Sequence, residues 1–191
     1  TAVVRFKIVG EDAYFLAWTT TPWTLCSNIA LCDNPDETYA RVKAADGFTY
    51  IMAEALLDKV LGGIEREEGT PAYEIIEEYK EYEPLYQCAK DAADKQHKKA
   101  FFVYCDNYVT MEDGTGIVHI APAFGEDDAR VGRKYDAPFV QMVDEAGVMK
   151  PETPFAGMRA KPTKKEMEAG AINCDVEVLK ELEGRGILFS A

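Results

Sequence analysis

Histidine is nearly missing from the sequence, with His97 and His119 the only two in the chain. A metal centre would have to be built from carboxylates, so no metal is expected. Cysteine occurs five times, an odd number, and no two are spaced as C-x-x-C. This argues against a disulfide framework or a zinc knuckle and for the reduced thiols of a cytoplasmic protein. No apolar run approaches the roughly 18 residues of a membrane span. The opening TAVVRFKIVG lacks the basic-then-apolar pattern of a leader. Basic residues are outnumbered, 21 against 34 acidic ones, for a net charge of −13. That balance argues against a nucleic-acid-binding face, which needs a basic stripe to displace counterions. A polynucleotide would be met only at its tip. The chain also lacks an initiator methionine and begins inside an expected strand, so it is read as an internal domain of a longer protein.

What is present is a succession of short strands. Residues 1–9 and 13–18 flank the turn Gly10-Glu11-Asp12 and predict a hairpin. Residues 39–44 and 48–52 predict a second one around Asp46-Gly47. Shorter strands are expected over residues 29–32, 73–82, 100–105, 138–143 and 187–190. Helical stripes are expected over 53–61, from Glu126 to about Tyr135, and over 175–183. Residues 90–99 and 151–165 are polar or proline-rich and are expected to be loops. With 191 residues and no repeat or low-complexity segment, the chain predicts one domain. Its fold class is mixed α/β, a closed or nearly closed barrel of short strands with peripheral helices.

Two stretches concentrate chemistry. The first is residues 112–130, EDGTGIVHIAPAFGEDDAR. Asp113-Gly114 is a turn pair, Ile117 to Ile120 a buried strand, and Pro122 ends the run by removing a donor. Glu126, Asp127 and Asp128 then stand where a helix begins, where exposed N–H groups favour anions. His119 is a lone polar ring in that strand. It reads equally as a half-buried histidine with satisfied hydrogen bonds, and the acids as a solvated cap. The second stretch, WTTTPWTLCSN, packs hydroxyls between aromatics. Period 2 puts Thr19 and Thr21 on one face and Thr20 on the other until Pro22 breaks the geometry. The segment reads either as a strand end with exposed hydroxyls or as a rigid wall that also positions a water, with Trp23 a face on which a base stacks.

Together, WTTTPWTLCSN and GTGIVHIAPAFGEDD resemble the editing domain inserted into isoleucyl-tRNA synthetase. The resemblance extends to the closing FAGM and GILF segments, so residues 1–191 are expected to form a single editing domain from a longer class I synthetase. The relatives specific for valine and leucine usually read TTRP in the first motif, and Thr21 in place of that Arg favours the isoleucine enzyme. Cys26 stands where a proline is usual, and residues 161–175 are longer and more polar than in the family. Neither departure is expected to touch the motif residues.

The resemblance implies hydrolysis of valine wrongly esterified to tRNA(Ile), at the aminoacylated 3′ end. It implies cytoplasmic location, no membrane, and no cofactor for editing, the parent enzyme using ATP and Mg in its catalytic body. Asp128 would bind the α-ammonium, its carboxylate ionised at the helix start. Thr19, Thr20 and Thr21 would form the wall around ester and water. Trp23 and Asn28 would face the terminal adenosine, and His119 would limit the side-chain pocket beside Phe124. One methylene separates isoleucine from valine, worth ~1–3 kcal/mol in a pocket, a figure that itself comes from aminoacyl-tRNA synthetases. A covalent route through Cys105 or a threonine with His119 as base, and a module that only binds a charged tRNA end, are the alternatives.

Overall fold

The structure, a computed structural model, describes residues 1–44, 46–62 and 80–191. Its organising strand is β2 (Tyr14–Thr19), an apolar run flanked on one edge by β1 (Ala2–Lys7). The expected hairpin forms, antiparallel from Ala2↔Thr19 to Lys7↔Tyr14, with Phe6 opposite Phe15. The other edge of β2 is shared. Its first residues, Tyr14 and Phe15, pair parallel with β5 (Thr49–Ala53), while Trp18 pairs parallel with Val118 of β7 (Val118–Ile120). One strand with two successive partners on one edge forks the sheet and curls it. From β5 the sheet continues to β4 (Tyr39–Lys43), the second expected hairpin. From β7 it continues to β3 (Ala30–Asp33) and β6 (Phe102–Cys105), and β8 (Leu188–Ser190) adds to β1. The result is a mixed α/β fold whose eight strands form a curled half-barrel.

The core is filled by large side chains. Tyr82 meets Phe6 and Phe101 edge-on, with ring centroids 5.3 and 6.0 Å away, and its hydroxyl donates to Asn28 Oδ1 at 2.7 Å. Among the described residues five helices dress the sheet: α1 (Leu57–Leu61), α2 (Gln87–Lys95), α3 (Glu126–Lys134), α4 (Lys164–Glu168) and α5 (Cys174–Gly184). α3 is fastened by a forked pair, Arg130 donating to both oxygens of Asp106 at 2.9 Å. Among the described residues no helix is long and apolar enough to cross a membrane.

Three expectations fare differently. Residues 90–99, expected as a loop, lie largely in α2. Cys88, Ala89 and Ala93 are buried on one stripe, and alanine is a strong helix former whose small apolar surface escapes a search for large hydrophobics. Residues 138–143, expected as a strand, form no ladder. Pro138 has no donor, and Met142 N–H goes to the Ser27 hydroxyl at 3.0 Å, leaving one isolated bridge at Val143. The strand expected over 73–82 falls mostly outside the described residues. Its last two residues, Glu81 and Tyr82, bridge Phe102 and Ile8.

β7 is launched by a tight turn that tolerates no side chain at two positions. Gly114 (φ +78°) lies against the Trp18 ring, and at Gly116 (φ +72°) an added Cβ would sit 2.3 Å from Ala53 Cβ. Between them Thr115 is buried, and its carbonyl accepts from Ala53 N–H at 2.9 Å. We expect Gly116→Ala to destabilise the fold by about 2–4 kcal/mol, combining backbone strain with overpacking. Gly157→Ala, also at positive φ (+81°) but with open space around it, should cost only about 1–2 kcal/mol. Urea denaturation of the two variants checks the difference, and equal losses would show that the contact with Ala53 is relieved by movement.

Candidate functional site

At Thr19 the strand β2 gives way to a 3₁₀ turn, Pro22–Ser27. Pro22 at its first position has a preset φ and needs no partner for a missing N–H. Thr19, buried, turns its Oγ1 back to accept Thr21 N–H at 3.1 Å. Thr24 N–H reaches the Thr21 carbonyl at 3.0 Å. The remaining free donor of the first turn, Trp23 N–H, is satisfied from far along the chain. It donates to Asp175 Oδ1 at 2.9 Å, from the first turn of α5. Burial pushes the Asp175 carboxyl above its ordinary value, and this N–H opposes the shift. Residues 161–175, expected to stand clear of the motif, thus end by holding it.

A 3₁₀ turn has three residues per turn, so side chains three apart align. That places Thr24 over Thr21, with hydroxyls 3.3 Å apart, and brings Thr24 Oγ1 within 2.9 Å of His119 Nε2. The Thr24 hydroxyl proton is committed to the Thr21 carbonyl at 2.8 Å. Its oxygen must therefore accept from both Thr21 Oγ1–H and His119 Nε2–H, which assigns the Nε2–H tautomer. His119 is buried in β7, opposite Leu31 of β3, and desolvation alone lowers its pKa to about 4. Its Nδ1, an acceptor in this tautomer, has no partner among the described residues. The arrangement runs opposite to a nucleophile–base pair. The imidazole gives a hydrogen bond to the hydroxyl rather than taking its proton, which leaves Thr24 a poor nucleophile.

Beyond β7, Ala121 and Pro122 turn the chain towards α3. Phe124 meets Trp23 edge-on at 4.8 Å, a second tie between the two motifs. Gly125 caps α3 and lets the Asp128 carboxylate fold back. Oδ2 accepts Ala121 N–H at 2.9 Å, and a Cβ at Gly125 would lie 2.9 Å from Asp128 Cγ. Desolvation raises the Asp128 pKa, Ala121 N–H works against the rise, and the charge of Asp127 adds to it. The carboxylate expected to be simply ionised at a helix start is thus partly desolvated.

Of the sequence-predicted residues, Thr21 and His119 are joined through Thr24, Trp23 packs on Phe124, and Asp128 bonds the backbone at Ala121, two residues beyond His119. Thr19 lies beneath them, and Thr20 points to solvent. Asn28 is different. It is 1% exposed, its Nδ2 donates to the Ala30 carbonyl and its Oδ1 accepts from Tyr82. Its amide supports the exit of the turn and presents no free edge to a nucleoside. Two residues were missed. Thr24, inside the quoted motif, was signalled by its i, i+3 spacing from Thr21 after a proline. Tyr108 had no signal. It lines a cleft of about 220 Å³ with Trp18, Val118, Glu112 and Asp113 beside β7.

No protein-family profile matches the chain. Over its full length it is 40% identical to part of the isoleucine–tRNA ligase of Clostridium novyi (strain NT), covering 17% of that protein. The ligase of Bdellovibrio bacteriovorus is 39% identical over 97% of the chain, and that of Thermus thermophilus 38% identical over 96%, with 17% and 16% of those proteins covered. Among solved structures, that of GlLeuRS-CP1 aligns over 97% of this chain and 96% of its own, with a TM-score of 0.66 at 14% identity. The P. knowlesi cytosolic leucyl-tRNA synthetase editing domain aligns over 70% and 63%, with a TM-score of 0.51 at 14% identity. The fold is that of the CP1 editing domain of class I aminoacyl-tRNA synthetases. Its sequence relatives are isoleucyl-tRNA synthetases, which it matches over its full length, and it spans 17% of the length of the Clostridium relative.

Two outcomes follow from the Thr24–His119 pair. Thr24→Val, which keeps shape but strands a buried Nε2–H, should cost about 1–3 kcal/mol, and Thr24→Ser less than about 1 kcal/mol, by chemical denaturation. The pH dependence has a definite sign. Above pH ~6.5 the ring is neutral folded or unfolded, whereas towards pH ~4 only the unfolded chain takes a proton. Stability carried by the neutral buried ring is therefore lost on acidification between those values, by about 3 kcal/mol. Comparing stability at neutral and mildly acid pH, His119→Asn should show a drop smaller by about that amount; an unchanged drop would place the titration elsewhere.

Proposed function

We propose that this chain hydrolyses the ester of valyl-tRNA(Ile) after transfer, by attack of a positioned water, and excludes isoleucine by size. The observation that carries the reading is the closed set of hydrogen bonds Thr21–Thr24–His119, which locks the two motifs into one unit. A wall made of such groups is stiff. None of the three side chains can swing aside without abandoning a buried hydrogen bond, so an extra methylene meets an overpacking cost of roughly 1–3 kcal/mol. Multiplied by the preference of a synthetic site, ~10–200-fold, this amounts to useful proofreading.

Asp128 would hold the α-ammonium of the misattached amino acid. Partial desolvation strengthens an ion pair there, and Ala121 N–H keeps the carboxylate oriented. Threonine hydroxyls and backbone groups near Thr20 and Thr21 would orient the water on the ester carbonyl, with most acceleration coming from placement. The flat faces of Trp18, Trp23 and Tyr108 are suited to the terminal adenosine. The partners in this reading are the 3′ end of tRNA(Ile) and the catalytic body of a parent synthetase, in the cytoplasm. No cofactor is used.

The decisive measurement is amino-acid release from valyl-tRNA(Ile) and from isoleucyl-tRNA(Ile). Valine should leave at least about tenfold faster; release of neither would make the chain a binding module. Asp128→Asn should abolish valine release with the fold retained. Because burial raises the Asp128 pKa, valine release by the wild type should also fade on acidification at a pH above the ordinary aspartate range. A flat profile there would remove the anchor role.

A further inference from the structure

The 3₁₀ turn Pro22–Ser27 rests on α2 and α5, and each of the three elements carries one buried thiol: Cys26, Cys88 and Cys174. Cys26 and Cys88 are in direct contact. The Cys88 thiol donates to the Cys26 carbonyl at 3.7 Å. The two are chemically unequal. Cys88 is the second residue of the nine-residue helix α2, among its unpaired N–H groups, and retains slight exposure, while Cys26 is fully enclosed. The contact with Cys26 is the largest influence lowering the Cys88 pKa, and the N–H groups of Ala89 and Cys88 add to it. The contact with Cys88 and then burial raise that of Cys26. A slightly exposed sulfur at a helix start beside a fully enclosed one is the pattern of an attacking and a resolving cysteine.

We propose that Cys26 and Cys88 form a reversible oxidation site, at which a peroxide joins them in a disulfide and shifts the turn bearing Thr21, Trp23 and Thr24. The Cys88 thiolate attacks one oxygen of the peroxide and the O–O bond breaks. The sulfur becomes a sulfenic acid, and the departing hydroxide leaves as water with one proton. The Cys26 sulfur then attacks the sulfenic sulfur. The S–O bond breaks, and the hydroxyl leaves as a second water with the Cys26 proton. Two thiols lose two electrons in all, one hydrogen peroxide is reduced to two waters, and a dithiol reductant reverses the bond by exchange.

The mechanical consequence follows from lengths. Two unbonded sulfurs must close to about 2.05 Å to form a disulfide, so the turn and the start of α2 must approach by a distance on the order of 1 Å. Cys26 lies two residues beyond Thr24, whose 2.9 Å bond to His119 fixes the wall. A misplacement of about 1 Å costs a positioned reaction roughly a hundredfold. The effect on activity rests on the editing reading above, whereas the disulfide itself does not.

The test treats the intact protein with stoichiometric hydrogen peroxide. A loss of two hydrogens in mass and a peptide linking Cys26 to Cys88 are expected. Trp23 fluorescence should change, and valine release should fall by roughly tenfold or more and return with dithiothreitol. Cys88→Ser and Cys88→Ala should keep reduced-state release and lose all of these responses, and two variants guard against one that folds poorly. A link between other cysteines, oxidation confined to Cys105, or an oxidised pair with unchanged fluorescence and release would overturn the proposal. Should the reduced protein release no valine, the editing reading fails instead. The crosslink and the fluorescence change then still decide whether the pair forms and moves the turn.

Discussion

A single buried hydroxyl, that of Thr24, fixes the relation between the two motif segments of the chain. It spends its one proton on the Thr21 carbonyl and receives hydrogen bonds from Thr21 and His119. Each of these hydrogen bonds joins groups shielded from solvent, so losing one leaves a polar atom without a replacement partner. Most of the architecture around it reads as the means of delivering those atoms. The fork in β2 sets β7 alongside Trp18, and the crowded glycine turn before β7 fixes where His119 arrives. Asp175, from the far end of the chain, holds the other side of the turn.

Electrostatics divides the same region into two jobs. Asp128 is drawn out of water, and its carboxylate is aimed by Ala121 N–H. Its neighbours in α3 are spent on structure. Arg130 is taken up by Asp106 and Asp127, and Asp106 is held below its ordinary value chiefly by that guanidinium. The Arg130 charge in α3 is therefore neutralised within the fold. With a net charge of −13 the domain has little general attraction for a polyanion. Recognition of a tRNA end at this site would then depend on local contacts and on whatever the rest of a longer synthetase supplies.

How much of this was legible beforehand depends on the range of the interactions. Asp46-Gly47 and Gly10-Glu11-Asp12 announce their hairpins because a turn is decided by its own residues. The run from Asp113 to Asp128 reads correctly as turn, strand, proline stop and helix start for the same reason. Helix α2 was hidden by alanine, whose helix preference is strong but whose apolar surface is small. The 3₁₀ form of residues 22–27 could be read only by putting Pro22 together with the three-residue spacing of Thr21 and Thr24. Asp175 has no local signal, and the resemblance points Asn28 at an adenosine although its amide is engaged inside the fold, since their partners lie 152 and 54 residues away. A resemblance to a family transfers residue types, not the direction in which each side chain points.

The stiffness of the turn is what makes discrimination by one methylene physically reasonable. Burying a methylene contributes about 0.8 kcal/mol, so a wall that yields by a fraction of an ångström loses its selectivity to the attraction it is meant to oppose. Here the wall yields only if several bonds yield together. Thr24 is held by Thr21 and His119, Trp23 by Asp175 and Phe124, and Ser27 by Met142 N–H. The same linkage makes the site sensitive to its support. A change behind the turn, at α2 or α5, cannot be absorbed locally and must appear at the threonines, because the hydrogen bonds that confer rigidity also transmit displacement. In the proposed editing reading, selectivity and vulnerability would thus have one origin in the packing of a six-residue turn.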